Sequence, residues 1–135
     1  MTMREFPAVL EELGHVRHFV VGVVAGHPAA DDVVLAVSEL AANAVEHSAA
    51  GRDDNFEVRI AHLPGAVRVE VHDHGGAGEP RLGRAGEEAT RGRGLFLVDH
   101  LSRTWGISHL PDHTGVWCEI GCTCTDVPEL ERAVA

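Results

Sequence analysis

The stretch from Pro28 to Ser48 limits what this chain can fold into more than any other part of it. Val33, Val34, Val37, Leu40, Ala41, Ala44 and Val45 recur at helical spacing and form one broad apolar arc. An arc of that width has to be buried against other elements. Pro28 suits a first helical position, and Asp31 and Asp32 put negative charge in the first turn, where the helix dipole favours it. Glu39, Asn43 and Glu46 lie opposite the arc, with His47 at its edge, so this side is expected to face solvent. Glu39 and Asn43 stand four residues apart and are therefore neighbours one turn from each other. The pair offers a carboxylate and a carboxamide, set off from the apolar arc by small alanines.

The flanking sequence supplies what the helix packs against. Residues 56–63 and 67–72 alternate apolar and polar with period two, and Pro64-Gly65 between them is a turn signal. The pair reads as an antiparallel hairpin. Upstream, Val9, Leu10, Leu13, Val16, Val20 and Val24 predict a first helix over 8–25, ended by Gly26-His27-Pro28. After Asp73 the character changes: from Gly75 to Arg93 there are six glycines and no apolar periodicity. A structureless stretch of that length in a compact domain is usually functional, and residues 76–91 are expected to act as a lid. Residues 95–101 read as a short helix, 104–108 and 115–120 as strands, and the acidic tail from Asp126 is expected to fray. The order α, α, β, β, loop, α, β, β predicts an α+β fold. It is a two-layer sandwich with helices on one face of a mixed, mainly antiparallel sheet. We expect a single domain over 1–135, with its core at about 8–120.

Composition removes several functions. The net charge of −10 argues against a nucleic-acid binder, which needs a basic stripe to displace counterions. All 11 cations are arginine. Without lysine, a Walker-type phosphate loop, a conventional protein-kinase lysine and Schiff-base chemistry are all excluded. Tyrosine is absent, so stacking platforms for bases are not expected. No apolar run approaches a membrane span, and the N-terminus has no signal core. Three cysteines in such a chain point to a reducing cytoplasm rather than a disulfide scaffold. The spacing of Cys118, Cys122 and Cys124 does not match the paired ligands of a zinc knuckle. His72 and His74 share a strand face but are read as structural. Trp105 and Trp117 are read as core residues.

Three short signals fall at compatible places: Glu39-x-x-x-Asn43 on a helix, Asp73-His74-Gly75 at a strand end, and Arg91-Gly-Arg-Gly-Leu95 opening a helix. Together they describe a nucleotide site. An aspartate at a strand end can accept a hydrogen bond from an adenine amino group, whereas it would repel the guanine carbonyl. Gly75 lets a base approach the backbone closely. Gly92 and Gly94 expose amides at a helix N-terminus, an anion site suited to phosphates. Asn43 offers a hard oxygen for Mg²⁺, and Glu39 can orient or deprotonate an attacking nucleophile.

These residues resemble the Bergerat-fold (GHKL) ATPases, the superfamily of gyrase, heat-shock chaperones, mismatch-repair ATPases and histidine kinases. The match is closest to the bacterial anti-sigma-factor serine kinases and their single-domain relatives. Ser38-Glu-Leu-Ala-Ala-Asn-Ala-Val-Glu-His47 looks like their asparagine box. Val69-Glu-Val-His-Asp-His-Gly75 looks like the first glycine box, and Arg91-Gly-Arg-Gly-Leu-Phe-Leu-Val98 like the second. Leu101-Ser-Arg-Thr-Trp-Gly106 and Thr114-Gly-Val-Trp117 have family counterparts too. The resemblance implies a Bergerat sandwich binding ATP and Mg²⁺, with Glu39 as catalytic base and Asn43 as metal ligand. It implies that Asp73, Gly75, Gly92, Arg93, Gly94, Leu95 and Thr114 contact the nucleotide, Thr114 near the adenine. The activity it implies is transfer of the ATP γ-phosphate to a serine or threonine of an antagonist protein, with a sigma factor as a further partner and a homodimer admissible. No histidine sits where a dimerising segment would precede the domain, so histidine autophosphorylation is disfavoured. An ATP-responsive switch module without transferase activity is the alternative, and a plain ATPase a third reading. Retention of Glu39 favours an enzyme, since binding alone needs no base.

Overall fold

The computed structural model describes residues 1–47, 55–73, 96–110 and 113–122. An N-terminal strand β1 (Thr2–Pro7) leads through a single 3-10 turn (Leu10–Glu12) into α1 (Leu13–Val24) and then α2 (Ala30–His47). The hairpin β2 (Asn55–Leu63) and β3 (Ala66–Asp73) follows. Residues 96–101 are helical, and β4 (Thr104–Leu110) and β5 (His113–Gly121) complete the sheet. The five strands lie in the order β1-β2-β3-β5-β4, and every pairing between them is antiparallel.

The hairpin has the expected register. Leu63 pairs with Ala66, Phe56 with Asp73, and Gly65 takes the turn at φ 80, a conformation that costs glycine little. Alternation sends Phe56, Val58, Ile60, Val67, Val69, Val71, Val116, Cys118 and Ile120 to one face, where they are buried with α1 and α2. From α1, Val16, Val20 and Val24 enter this core; from α2, Val33, Ala36, Val37, Leu40, Ala41 and Ala44 do. Each fully buried valine or leucine side chain contributes about 1.5–3 kcal/mol over its exposed state, so this stripe is what holds α2 on the sheet. The two-layer α+β sandwich is therefore as the order of elements implied.

Three local expectations differ. The strand β1 has no counterpart in the apolar pattern, because as an edge strand it buries only Phe6, which packs between Phe56 and Phe19 with ring centroids 5.8 Å apart in both contacts. The first helix starts later than 8, since Val9 and Leu10 are exposed and belong to the cap and the 3-10 turn. The central helix starts at Ala30 rather than Pro28. The Ala29 amide donates to the His27 ring Nδ1 at 3.0 Å, so a histidine side chain takes the capping role at the turn that Gly26 makes at φ 79.

Candidate functional site

The second half of α2 carries Glu39 and Asn43 over the sheet, and α2 packs directly on β3. Glu39 is half-buried. Asn43 departs from the solvated polar side expected of it: it is only 7% exposed. Its Oδ1 is buried and has no hydrogen-bond partner among the described residues. Leaving a buried carboxamide oxygen unpaired costs on the order of 1–3 kcal/mol. A hard cation held there removes that cost, so Asn43 fits a Mg²⁺ ligand by burial as well as by donor type.

Asp73 ends β3 on the helix-covered face, in alternation with Val69 and Val71. Thr114 lies directly across from it on β5, and Phe56 across on β2. Pairing of β3 with β5 thus makes neighbours of two predicted contact residues that are far apart in sequence. One residue back, His72 points to the opposite face and is buried, its Nε2 2.7 Å from Glu70 and its Nδ1 3.1 Å from His113 Nε2. Both ring nitrogens are engaged, which suits a structural prop beneath the end of β3. Gly115 is required beside it: a Cβ there would sit 2.8 Å from the His72 ring. Gly75, Gly92, Arg93, Gly94, Leu95 and the expected lid at 76–91 lie outside the described residues.

The remaining candidates separate. Trp105 packs against the core and donates to Asp99 at 2.6 Å. Trp117 is not a core residue; it lies on the open face beneath the Arg68 guanidinium, 4.2 Å from its ring centroid, and over Gly106. Cys118 is buried, and burial pushes its thiol up to about 11 against the opposing effect of a hydrogen bond with Ser102. It is an inert core residue. Cys122 is disulfide-bonded, whereas Cys118 is a free thiol. Cys122 lies beside His27 and His62 at the other end of the sheet, a convergence the sequence reading missed. The one available signal was His62, a polar residue at a core-facing position of β2.

The family profile described as Histidine kinase-like ATPase domain matches residues 6–119. No curated protein sequence matches the chain. Among the solved structures that share its fold, two illustrate the likeness. One comprises the RsbU and RsbW domains of Rv1364c from Mycobacterium tuberculosis, at TM-score 0.58 and 21% identity, covering 95% of this chain and 35% of that one. The other is the histidine kinase domain of the blue-light activated histidine kinase EL346 from Erythrobacter litoralis, at TM-score 0.53 and 20% identity, covering 86% of this chain and 61% of that one. The chain therefore spans about a third and three-fifths of these two structures. Among the described residues no helix is long and apolar enough to cross a membrane.

Proposed function

This chain belongs to the histidine kinase-like ATPase domain family, and on that premise we propose that it is an ATP- and Mg²⁺-dependent protein kinase. Its acceptor is a serine or threonine of an antagonist protein in a cytoplasmic partner-switching pathway, and a sigma factor is its further partner. The observation that carries this reading is the buried Asn43 Oδ1, unpartnered among the described residues, with Glu39 one turn away on α2.

In this reading Asp73 accepts the adenine amino hydrogen, Thr114 lies beside it, and Gly75 lets the base approach the backbone. Gly92, Arg93, Gly94 and Leu95 hold the phosphates at the helix N-terminus. When bound, Mg²⁺ neutralises phosphate charge, with Asn43 among its ligands. Glu39 accepts the hydroxyl proton of the acceptor as its oxygen bonds to the γ-phosphorus and the bond to the ADP oxygen breaks. Nucleotide binding needs Asn43 and Asp73 but not a base, so Glu39 separates a kinase from a switch module.

The test is phosphate incorporation into candidate antagonists, measured beside ATP affinity and thermal melting. Glu39→Gln is expected to leave Mg·ATP affinity within a few-fold and lower transfer by roughly 10²–10⁴. Asn43→Ala is expected to lose both Mg²⁺-dependent affinity and transfer. It removes an unpaired buried oxygen, so the nucleotide-free protein should lose no more than about 1 kcal/mol of stability. Full transfer by Glu39→Gln would falsify its role as base. Tight ATP binding with no transfer to any antagonist would identify the switch module.

A further inference from the structure

The hairpin end of the sheet is the end opposite Asp73, roughly 20 Å away along β3. Three ligand-type side chains from three separate parts of the chain meet there. His27 comes from the turn between α1 and α2. His62 comes from the last core-facing position of β2 and is 3% exposed. Cys122 follows β5, its backbone amide donating to the Gly65 carbonyl at 2.9 Å, which ties it to the hairpin turn. The two imidazoles stand edge to face with centroids 5.1 Å apart, and the candidate donor atoms of all three residues lie within 4.8 Å of one another.

We propose that the reduced chain binds one zinc ion through His27, His62 and Cys122. Imidazole and thiolate are the ligands Zn²⁺ prefers, and tetrahedral bonds of about 2.0–2.3 Å separate donor atoms by roughly 3.5 Å. The cluster closes to that geometry with a movement of about 1 Å. His62 is fixed within β2, His27 sits in the turn just before α2, and Cys122 lies just past β5 with its amide tied to the hairpin turn, which holds the three together before any ion arrives. The fourth position is left to water.

Two features of the structure set the conditions. Cys122 is disulfide-bonded, and a disulfide sulfur is not a zinc ligand. Zinc therefore binds only after reduction. A tertiary phosphine and one water supply the two electrons and two protons, leaving two thiols and the phosphine oxide. The Cys122 thiol then releases its proton to solvent as the metal bond forms. Second, His27 Nδ1 accepts from the Ala29 amide. Coordination through Nδ1 displaces that hydrogen bond directly. Coordination through Nε2 moves the ring proton to Nδ1 and turns the acceptor into a donor. Either route opens the Ala29 hydrogen bond, so zinc binding reports itself at the first turn of α2.

The experiment uses the untagged full chain without nucleotide, phosphine-reduced or oxidised, titrated with Co²⁺ as a spectroscopic probe and then with Zn²⁺ in competition. The expected result for reduced protein is one equivalent of Co²⁺ with a thiolate-to-metal charge-transfer band, bleached by Zn²⁺. The band is lost in Cys122→Ser and in the oxidised protein, and affinity falls at least tenfold in His27→Gln and His62→Gln. Asn43→Ala binds like wild type, which separates this site from the nucleotide site. Zn²⁺ also accelerates hydrogen exchange at Ala29. Absence of the band in the reduced wild type overturns the proposal, as does its persistence in Cys122→Ser or in the oxidised chain. Should His62→Gln fail to fold, His27→Gln and Cys122→Ser, both at the periphery, carry the test.

Discussion

On its helix-covered face the sheet presents Phe56, Val58 and Ile60 from β2 and Val67, Val69 and Val71 from β3, all buried. One residue along each strand, the opposite face carries Glu57 and Arg59, Arg68 and Glu70, and Glu119 of β5. There Arg68 donates to Glu70 at 2.8 Å and to Glu119 at 3.0 Å, and Arg103 reaches Glu119 at 3.0 Å. Arg68 stands opposite Glu119, and Arg59 opposite Glu70, in the strand register. The same strands are thus held from two sides by different physics. The apolar side supplies most of the free energy, because burial contributes more per residue than a half-exposed ion pair. The charged side is half-exposed, and ion pairs there contribute about 0–1 kcal/mol each. What the charges add is specificity: a one-residue slip would turn every charge toward the core and every valine toward water.

The largest effect should come from the apolar face. Phe56→Ala removes a fully buried ring stacked on Phe6, so it should cost about 3–5 kcal/mol. Denaturant midpoints should show the loss undiminished in high salt; a strong salt dependence would mean the two faces are not distinct in kind.

A smaller loss is expected where the faces meet at the end of β3. In Gly115→Ala the added methyl would approach the His72 ring to 2.8 Å, and that ring is pinned between Glu70 and His113. Overpacking of this kind costs typically about 1–3 kcal/mol. Because Asp73 adjoins His72, ATP affinity should weaken alongside stability. Unchanged melting and unchanged affinity would show that His72 is free to move aside.

The smallest effects belong to the charged face itself. A double-mutant cycle on Arg68→Ala and Glu119→Gln should give a coupling of about 0.5–1 kcal/mol that shrinks with added salt. Acid should probe the same groups. Burial works to raise the Glu70 carboxyl, but hydrogen bonds from Arg68 and His72 outweigh it and hold it below the ordinary 4.5. For Glu119 burial also opposes, and Arg103 and Arg68 prevail. Carboxyls lowered in the folded state stabilise it fully above about pH 4.5, and that contribution is lost as pH falls through their folded values. Melting curves from pH 6 down to about pH 3 should therefore fall less steeply in Glu119→Gln than in wild type. Parallel pH profiles would show that the Arg68–Glu119–Arg103 ion pairs contribute nothing to acid stability.

How much of this was legible beforehand follows from range. The helix at α2 and the hairpin of β2 and β3 could be read because their periodicities are local and each buries one clean face. The edge strand β1 could not, since one buried phenylalanine makes no period. Glu39, Asn43 and Asp73 stood out by type and by their likeness to a known family, and Thr114 by that likeness alone, with no need of the fold.

Sequence alone thus determined the α+β architecture, the central helix and the β2–β3 hairpin, and it singled out residues expected to serve a nucleotide. Tertiary structure decided which of those residues lose contact with water and which meet. It buried Asn43, which helical periodicity had placed on a wet face. Register set Thr114 across from Asp73. Three chain segments converge to bring His27 and His62 beside Cys122, and no spacing within any one segment encodes that meeting. Periodicity acts over a few residues, whereas burial and convergence depend on how whole elements close against each other, so only the folded chain could decide them.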